Sequence, residues 1–243
     1  MRYFIKFSYD GSVFNGYQRQ KDLKTVQSTI ENSLSELEGK KVEIHASGRT
    51  DKGVHALNQC AHFDLDKDLK EYNLKKYLNN SFDGEIYVKK VEKKNDKFHA
   101  RYNVISKSYS YYINQGEFDP IKRNYVYQLC QKLDVQKIVD ATNFLVGKHD
   151  FRAFVTDSSE DDNTIREIYL ISVEESNDIL KITFKGNGFL RKMIRNVVAI
   201  LIEIGLNKKD VSYMKDVLDS KKREGNMKSV PGCGLYLEEV SYD

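Results

Sequence analysis

The sequence predicts an α+β fold of two similar halves, with their sheets packed edge to edge or face to face and helices to one side. Three observations predict it. Each half opens on a strand-like run, "RYFIKFSY" and "SKSYSYYIN", and continues through capped helical periodicities into further strands. A chain of 243 residues that is 40% hydrophobic has enough apolar surface for a real core. No proline- or serine-rich linker interrupts residues 100–108. Two subdomains, 1–105 and 106–243, are therefore expected to share one continuous core, and the groove between them is the natural place for a site.

In the first half, Tyr3, Ile5, Phe7 and Tyr9 alternate with Arg2, Lys6 and Ser8, the pattern of a half-buried strand over residues 2–9. The turn-rich "YDGSVFNGYQRQ" follows. Thr25 then caps a helix through Val26, Ile30, Leu34 and Leu37, with Gly39 as a left-handed stop. Strands are expected at 41–46, 56–65 and 85–93, and a helix from about Leu69 to Asn80 between the last two. In the second half, Asp134 caps a helix through Ile138, Ala141 and Leu145 that Gly147 closes. Strands at 164–174 and 179–185 precede a long helix from about Phe189 to Ile204, striped by Leu190, Met193, Ile194, Val197, Leu201 and Ile204. A short helix near 211–219 and the strand "LYLEEVSY" complete the pattern. The acidic run at 156–163, "TDSSEDDN", has no apolar periodicity and is expected to be an exposed, mobile loop.

The formal charge of +3 and pI near 8.5 produce too weak a whole-molecule field to indicate a polyanionic partner, so any case for nucleic acid must be local. Cys60, Cys130 and Cys233 are far apart, which gives neither a disulfide framework nor a zinc knuckle. The N-terminus enters strand alternation without an apolar leader, and no stretch has the roughly 18 apolar residues of a membrane span, so a soluble cytosolic protein is expected. The five histidines do not assemble into a metal site by spacing. His149 and Asp150 would supply only half of a metal-dependent phosphohydrolase pair. No P-loop, Rossmann fingerprint or nucleophile elbow is present, and neither a metal nor a cofactor is expected.

Two local features carry chemistry. In "SGRTDKG", Gly48 and Gly53 permit a sharp bend that presents Asp51 at a fixed angle, while Arg49 and Lys52 favour its charged form and can hold phosphates. Basic residues also cluster in "KGNGFLRKMIR", where Arg191 and Arg195 stand four apart on one face of the expected helix, near its anion-attracting N-terminus. "KFHARY" adds Lys97, His99 and Arg101. With Tyr109, Tyr111 and Tyr112 these residues offer cations for phosphates and rings for stacking, a combination suited to unpaired RNA.

Taken in order, "YDGSVFNGYQRQ", "TVQSTIE", "ASGRTDKGVHA", "FHARY", "GKHDFRAF", "NGFLRKMIRNVV" and "PGCGLYLEEVSYD" resemble the TruA family of tRNA pseudouridine synthases from about residue 3 to residue 242. The resemblance implies a pseudouridine synthase fold, with mixed, mainly antiparallel sheets joined in one core around a central cleft. It implies a cofactor-independent isomerase that converts uridine to pseudouridine in the tRNA anticodon stem-loop, acting as a cytoplasmic homodimer with one tRNA spanning both subunits. Carried onto this chain, it makes Asp51 the catalytic carboxylate and Arg49 a ligand of the RNA and the flipped nucleotide. Tyr109 becomes the ring that stacks on uracil, Arg195 the partner of the carboxylate and Leu235 an apolar wall of the pocket. Lys52 and Arg191 join the RNA-binding set as neighbouring cations. Two positions depart from the family pattern: Tyr17 stands where members commonly have tryptophan, and Lys52 where alanine is usual, adding a cation beside the carboxylate. The alternative is an RNA-binding protein or RNA chaperone on the same fold that has lost its chemistry. Such a protein would have no need of Asp51.

Overall fold

The structure, a computed structural model, describes residues 1–155, 163–223, 225 and 228–242. The chain clusters into two compact units, Met1–Ile105 with Tyr236–Asp243, and Ser106–Leu235. The division after residue 105 falls where the strand pattern restarts. The final strand, expected in the second subdomain, clusters instead with the first, because it pairs there with residues 55–56. The architecture is α+β with mixed, mainly antiparallel pairing.

In the first unit, β1 (Arg2–Tyr9) runs antiparallel to both β3 (His55–Asp64) and β4 (Ile86–Lys94). The two-residue β2 (His45–Ala46) pairs with β3, and β10 (Leu235–Tyr242) adds the parallel register Tyr236 to His55. Only the end of the expected 41–46 strand is extended and paired. Upstream of it, the Ile44 amide donates to the Glu31 carboxylate at 3.2 Å instead of to a strand. Tyr3, Ile5 and Phe7 are fully buried, as the alternation requires, and Phe4 on the other face is covered by Phe98 and Tyr242.

Helix α1 (Val26–Glu38) begins at a reciprocal Thr25–Ser28 capping box and stops at Gly39, whose φ of 82° is the left-handed conformation expected of that glycine. Helix α2 (Glu71–Asn80) lies against β4 and caps its outer edge. Asn79 exchanges hydrogen bonds with Val88, and Lys75 and Glu71 bond the Lys89 carbonyl and the Lys93 amide. These bonds pair edge groups that would otherwise invite another strand.

The second unit contains β5 (Val104–Asn114), the short β6 (Tyr127–Gln128), β7 (Gly147–Asp150), β8 (Ile165–Ser176) and β9 (Ile179–Gly186), ordered β5-β9-β8-β7 with β6 parallel on β5. Helix α3 (Val135–Thr142) starts at Asp134, whose carboxylate accepts the Lys137 amide. It ends at Asn143, earlier than expected, and a 3-10 turn carries Asn143–Leu145. Gly147, with φ of 106°, opens β7 and does not close the helix. Helix α4 (Met193–Gly205) begins four residues later than expected, because Lys192 adopts φ of 59° and breaks the helical path before it. Helix α5 (Tyr213–Ser220) follows. Residues 156–162 of the acidic run lie outside the described residues, and Asn163 is exposed.

Candidate active site

The bend from Ser47 to Val54 connects β2 to β3, and buried polar groups hold it at both ends. At its entry the Ser47 amide donates to the Cys60 carbonyl at 2.8 Å, and the Ser47 hydroxyl to Gln59 Oε1 at 2.7 Å. Gln59 is fully buried, and its Nε2 donates back to the Gly48 carbonyl at 3.2 Å. One amide side chain thus ties the start of the loop to the strand that follows it.

The middle of the loop rests on the "YDGSVFNGY" segment. The Tyr9 hydroxyl shares a 2.8 Å hydrogen bond with the Thr50 hydroxyl, and the Tyr17 amide donates to the Thr50 carbonyl at 3.0 Å. Burial pushes the Tyr9 phenol up to about 12, so it remains a neutral hydrogen-bonding group at physiological pH. Gly16, with φ of 91°, approaches so closely that a Cβ there would lie 3.1 Å from the Thr50 carbonyl and 3.2 Å from the Lys52 amide. Tyr17 is a buried support, and burial raises its phenol well above the usual value.

The loop closes through the Val54 amide donating to the Asp51 carbonyl at 3.2 Å, with Gly53 at φ of 78°. Its exit is pressed against Gly11, where a Cβ would meet the Val54 carbonyl oxygen at 2.0 Å. The Gly11 amide donates to His55 Nδ1 at 3.0 Å, and the His55 ring stacks on Tyr236 at 4.6 Å. The backbone on either side of Asp51 is thereby fastened. Asp51 itself is half-buried, and Arg49 and Lys52 are exposed. A preorganised carboxylate flanked by solvent-facing cations is suited to receive an anionic substrate and act on it as base or nucleophile.

In the second unit, Tyr109 is buried on β5, opposite Phe184 of β9 and edge-on to Phe189 at 5.4 Å. Arg195 stands in the first turn of α4, half-buried, and its Nε donates to the Val230 carbonyl at 2.7 Å. The next residue, Asn196, is fully buried. It donates to the Phe154 carbonyl at 2.7 Å and accepts the Ser229 hydroxyl at 2.6 Å. Residues 229–230 are thus fastened to α4 by two consecutive side chains. The Tyr111 hydroxyl donates to the Pro231 carbonyl at 2.7 Å, and a Cβ on Gly234 would lie 2.7 Å from the Tyr112 carbonyl. This packing sets the 3-10 turn Gly232–Gly234, from which the buried Leu235 emerges.

The structure groups Arg49, Asp51 and Lys52 on one loop of the first unit, and Tyr109, Arg195 and Leu235 within the second. Arg191 corrects an expectation: it lies ahead of α4, exposed, and does not share a helical face with Arg195. The positive φ of Lys192 between them is the cause.

Sequence reasoning did not single out Tyr9, Gly11, Gln59 or Asn196 as supports. Three of the five histidines also come together, with His45 stacked on His62 at 5.0 Å and His62 edge-on to His99 at 4.5 Å.

Comparison with known proteins agrees with this chemistry. A family model described as tRNA pseudouridine synthase matches residues 6–103 and 141–243. The interval between them carries β5 and Tyr109. A relative from Bacillus cereus named tRNA pseudouridine synthase A 2 is 40% identical over 242 residues, covering 99% of this chain and 99% of its own. A Malacoplasma penetrans protein named tRNA pseudouridine synthase A is 41% identical over 244 residues and covers all of both chains. Another of that name from Limosilactobacillus reuteri is 40% identical over 247 residues, covering 99% and 96%.

Proposed function

The chain belongs to the TruA family of tRNA pseudouridine synthases, and we propose that it isomerises uridines of the tRNA anticodon stem-loop with Asp51 as its catalytic carboxylate. The observation that supports the role of Asp51 is its loop: the backbone is held by Gln59, Tyr9, Tyr17 and Gly11, while Arg49 and Lys52, close to Asp51 in sequence, are exposed. A loop that merely connected two strands would need no such bracing.

The reaction is an isomerisation, so nothing is added to the nucleoside or removed from it. In the proposed sequence the Asp51 carboxylate takes the ribose C2′ proton as the C1′–N1 bond breaks, leaving a glycal and a uracil anion. The base turns, C5 bonds to C1′ and the proton returns to C2′. The C5 proton is then lost, and N1 ends protonated. A stacked base cannot be reached by the loop, so the nucleotide must swing out at a cost of a few kcal/mol. Stacking on Tyr109 and contact with Leu235 offset that cost. The family resemblance gives Arg195 the role of partner to the carboxylate, while Arg49, Lys52 and Arg191 hold phosphates. We further propose a cytoplasmic homodimer with one tRNA spanning both subunits, a reading that rests on the family resemblance.

The test is incubation of purified protein with unmodified tRNA transcripts, followed by carbodiimide mapping of pseudouridine. The expected result is modification in the anticodon arm by the wild-type chain and none by Asp51→Ala. Wild-type rates from Asp51→Ala would show that the carboxylate is not catalytic. Pseudouridine confined to another arm would refute the assignment of the target. Binding of tRNA without any product would leave an RNA-binding protein without catalysis.

A further inference from the structure

Outside the Asp51 loop, the first unit carries an aromatic cluster that the proposed reaction does not use. His99 lies against Tyr102 with ring centroids 4.3 Å apart and planes tilted by 31°, and His45 stacks on His62 at 5.0 Å and 25°. The two pairs meet where His62 contacts His99 edge-on. Backbone amides fix two of the rings: Ala100 donates to His62 Nδ1 and Arg101 to His99 Nδ1, each at 3.1 Å. Both imidazoles therefore keep their planes without a ligand. The inner ring, His62, is buried. Tyr102 at the outer end of the other pair is 76% exposed, and His45 is exposed as well.

Burial and the neighbouring His99, His45 and Arg2 push the His62 imidazole down to about 4, and burial also lowers His99. Near neutral pH these two imidazoles are uncharged aromatic surface, not cations. Positive charge lies beside the rings, on the exposed Arg101. The exposed ring of Tyr102, lying against the uncharged His99 and next to a guanidinium, complements an unpaired nucleobase and its phosphate.

We propose that the His45, His62, His99 and Tyr102 cluster is a second RNA contact, on which an unpaired base of the substrate stacks against the open face of Tyr102 while Arg101 holds its phosphate. This rests on the reading of the chain as an enzyme of RNA, and adds to that reading a stacking position apart from the one assigned to the target uridine.

Equilibrium binding of an unmodified tRNA transcript tests it with the wild-type chain, Tyr102→Ala and Tyr102→Phe. Base–aromatic stacking energies correspond to a loss of about tenfold in affinity for Tyr102→Ala, whereas Tyr102→Phe keeps the ring and stays within about twofold of wild type. Ultraviolet irradiation of the wild-type complex is expected to cross-link nucleotide to the peptide containing Tyr102. Affinity of Tyr102→Ala within about twofold of wild type, or an equal loss in Tyr102→Phe, overturns the proposal. Mapping pseudouridine in the same samples separates the two readings. Product formation with an unchanged Tyr102→Ala affinity removes only the second contact. A Tyr102-dependent affinity without product removes only the catalytic assignment.

Discussion

Gly11→Ala addresses the bracing of the Asp51 loop without touching the carboxylate. The new methyl carbon would lie 2.0 Å from the Val54 carbonyl oxygen and 2.4 Å from its carbon, where ordinary contact begins at 3.4 Å. The obstructing atoms are backbone, so the side chain has no rotamer of escape. Either the Asp10–Ser12 turn or the loop exit must yield by more than 1 Å. Overpacking of this kind costs about 1–3 kcal/mol, which in a chain of this size lowers Tm by roughly 2–12 °C. A carboxylate displaced by about 1 Å loses on the order of a hundredfold in rate. Gly39→Ala is the control, since it strains a residue at φ of 82° with nothing within 4 Å and lies at the far end of α1. Its expected cost is about 1 kcal/mol in stability, with kcat unchanged. Single-turnover pseudouridine formation and thermal melts on both variants decide the matter. If Gly11→Ala retains wild-type kcat, the loop does not depend on this contact and the bracing argument fails.

Two further variants probe the supports. Gln59→Leu removes the acceptor of the Ser47 hydroxyl and the donor to the Gly48 carbonyl, and is expected to cost about 1–3 kcal/mol, read as a lowered Tm or urea midpoint. An unchanged midpoint would mean that the loop entry is held by other bonds. The His62 imidazole is held at about 4 in the folded chain, against about 6.5 when unfolded, so between these values the unfolded state binds the extra proton. Its contribution to stability is complete above pH 6.5 and is lost as pH falls towards 4, amounting to about 2 kcal/mol between pH 7 and pH 5. The charged and titratable groups around it, His45, His99, Arg2 and Asp64, are all retained in His62→Asn. That variant should show a shallower loss of Tm over this interval. A slope equal to wild type would assign the pH dependence to another group.

Local signals carried much of the architecture. Thr25 and Gly39 bound α1 because capping and left-handed stops act within a few residues, and the alternation of Tyr3, Ile5 and Phe7 shows directly in their burial. The start of α4 was not legible, because Lys192 adopts a positive φ that its residue type does not announce, and Arg191 left the predicted helical face with it. The end of α3 was misjudged for a related reason: Gly147 has the conformational freedom of a helix stop but spends it at the entrance to β7.

By itself the sequence determined which residues could do chemistry and in what company: a single acid between cations in a glycine-permitted bend, and basic and aromatic clusters suited to RNA. Spacing and residue type suffice for that, since both are properties of neighbours in the chain. Only the tertiary structure decided what holds the bend still. Gln59, Tyr9, Tyr17 and Gly11 reach it from other segments, and Tyr236 of the last strand returns to stack on His55. Contacts between residues far apart in sequence leave no periodicity to read, because they are selected by packing after the strands have paired.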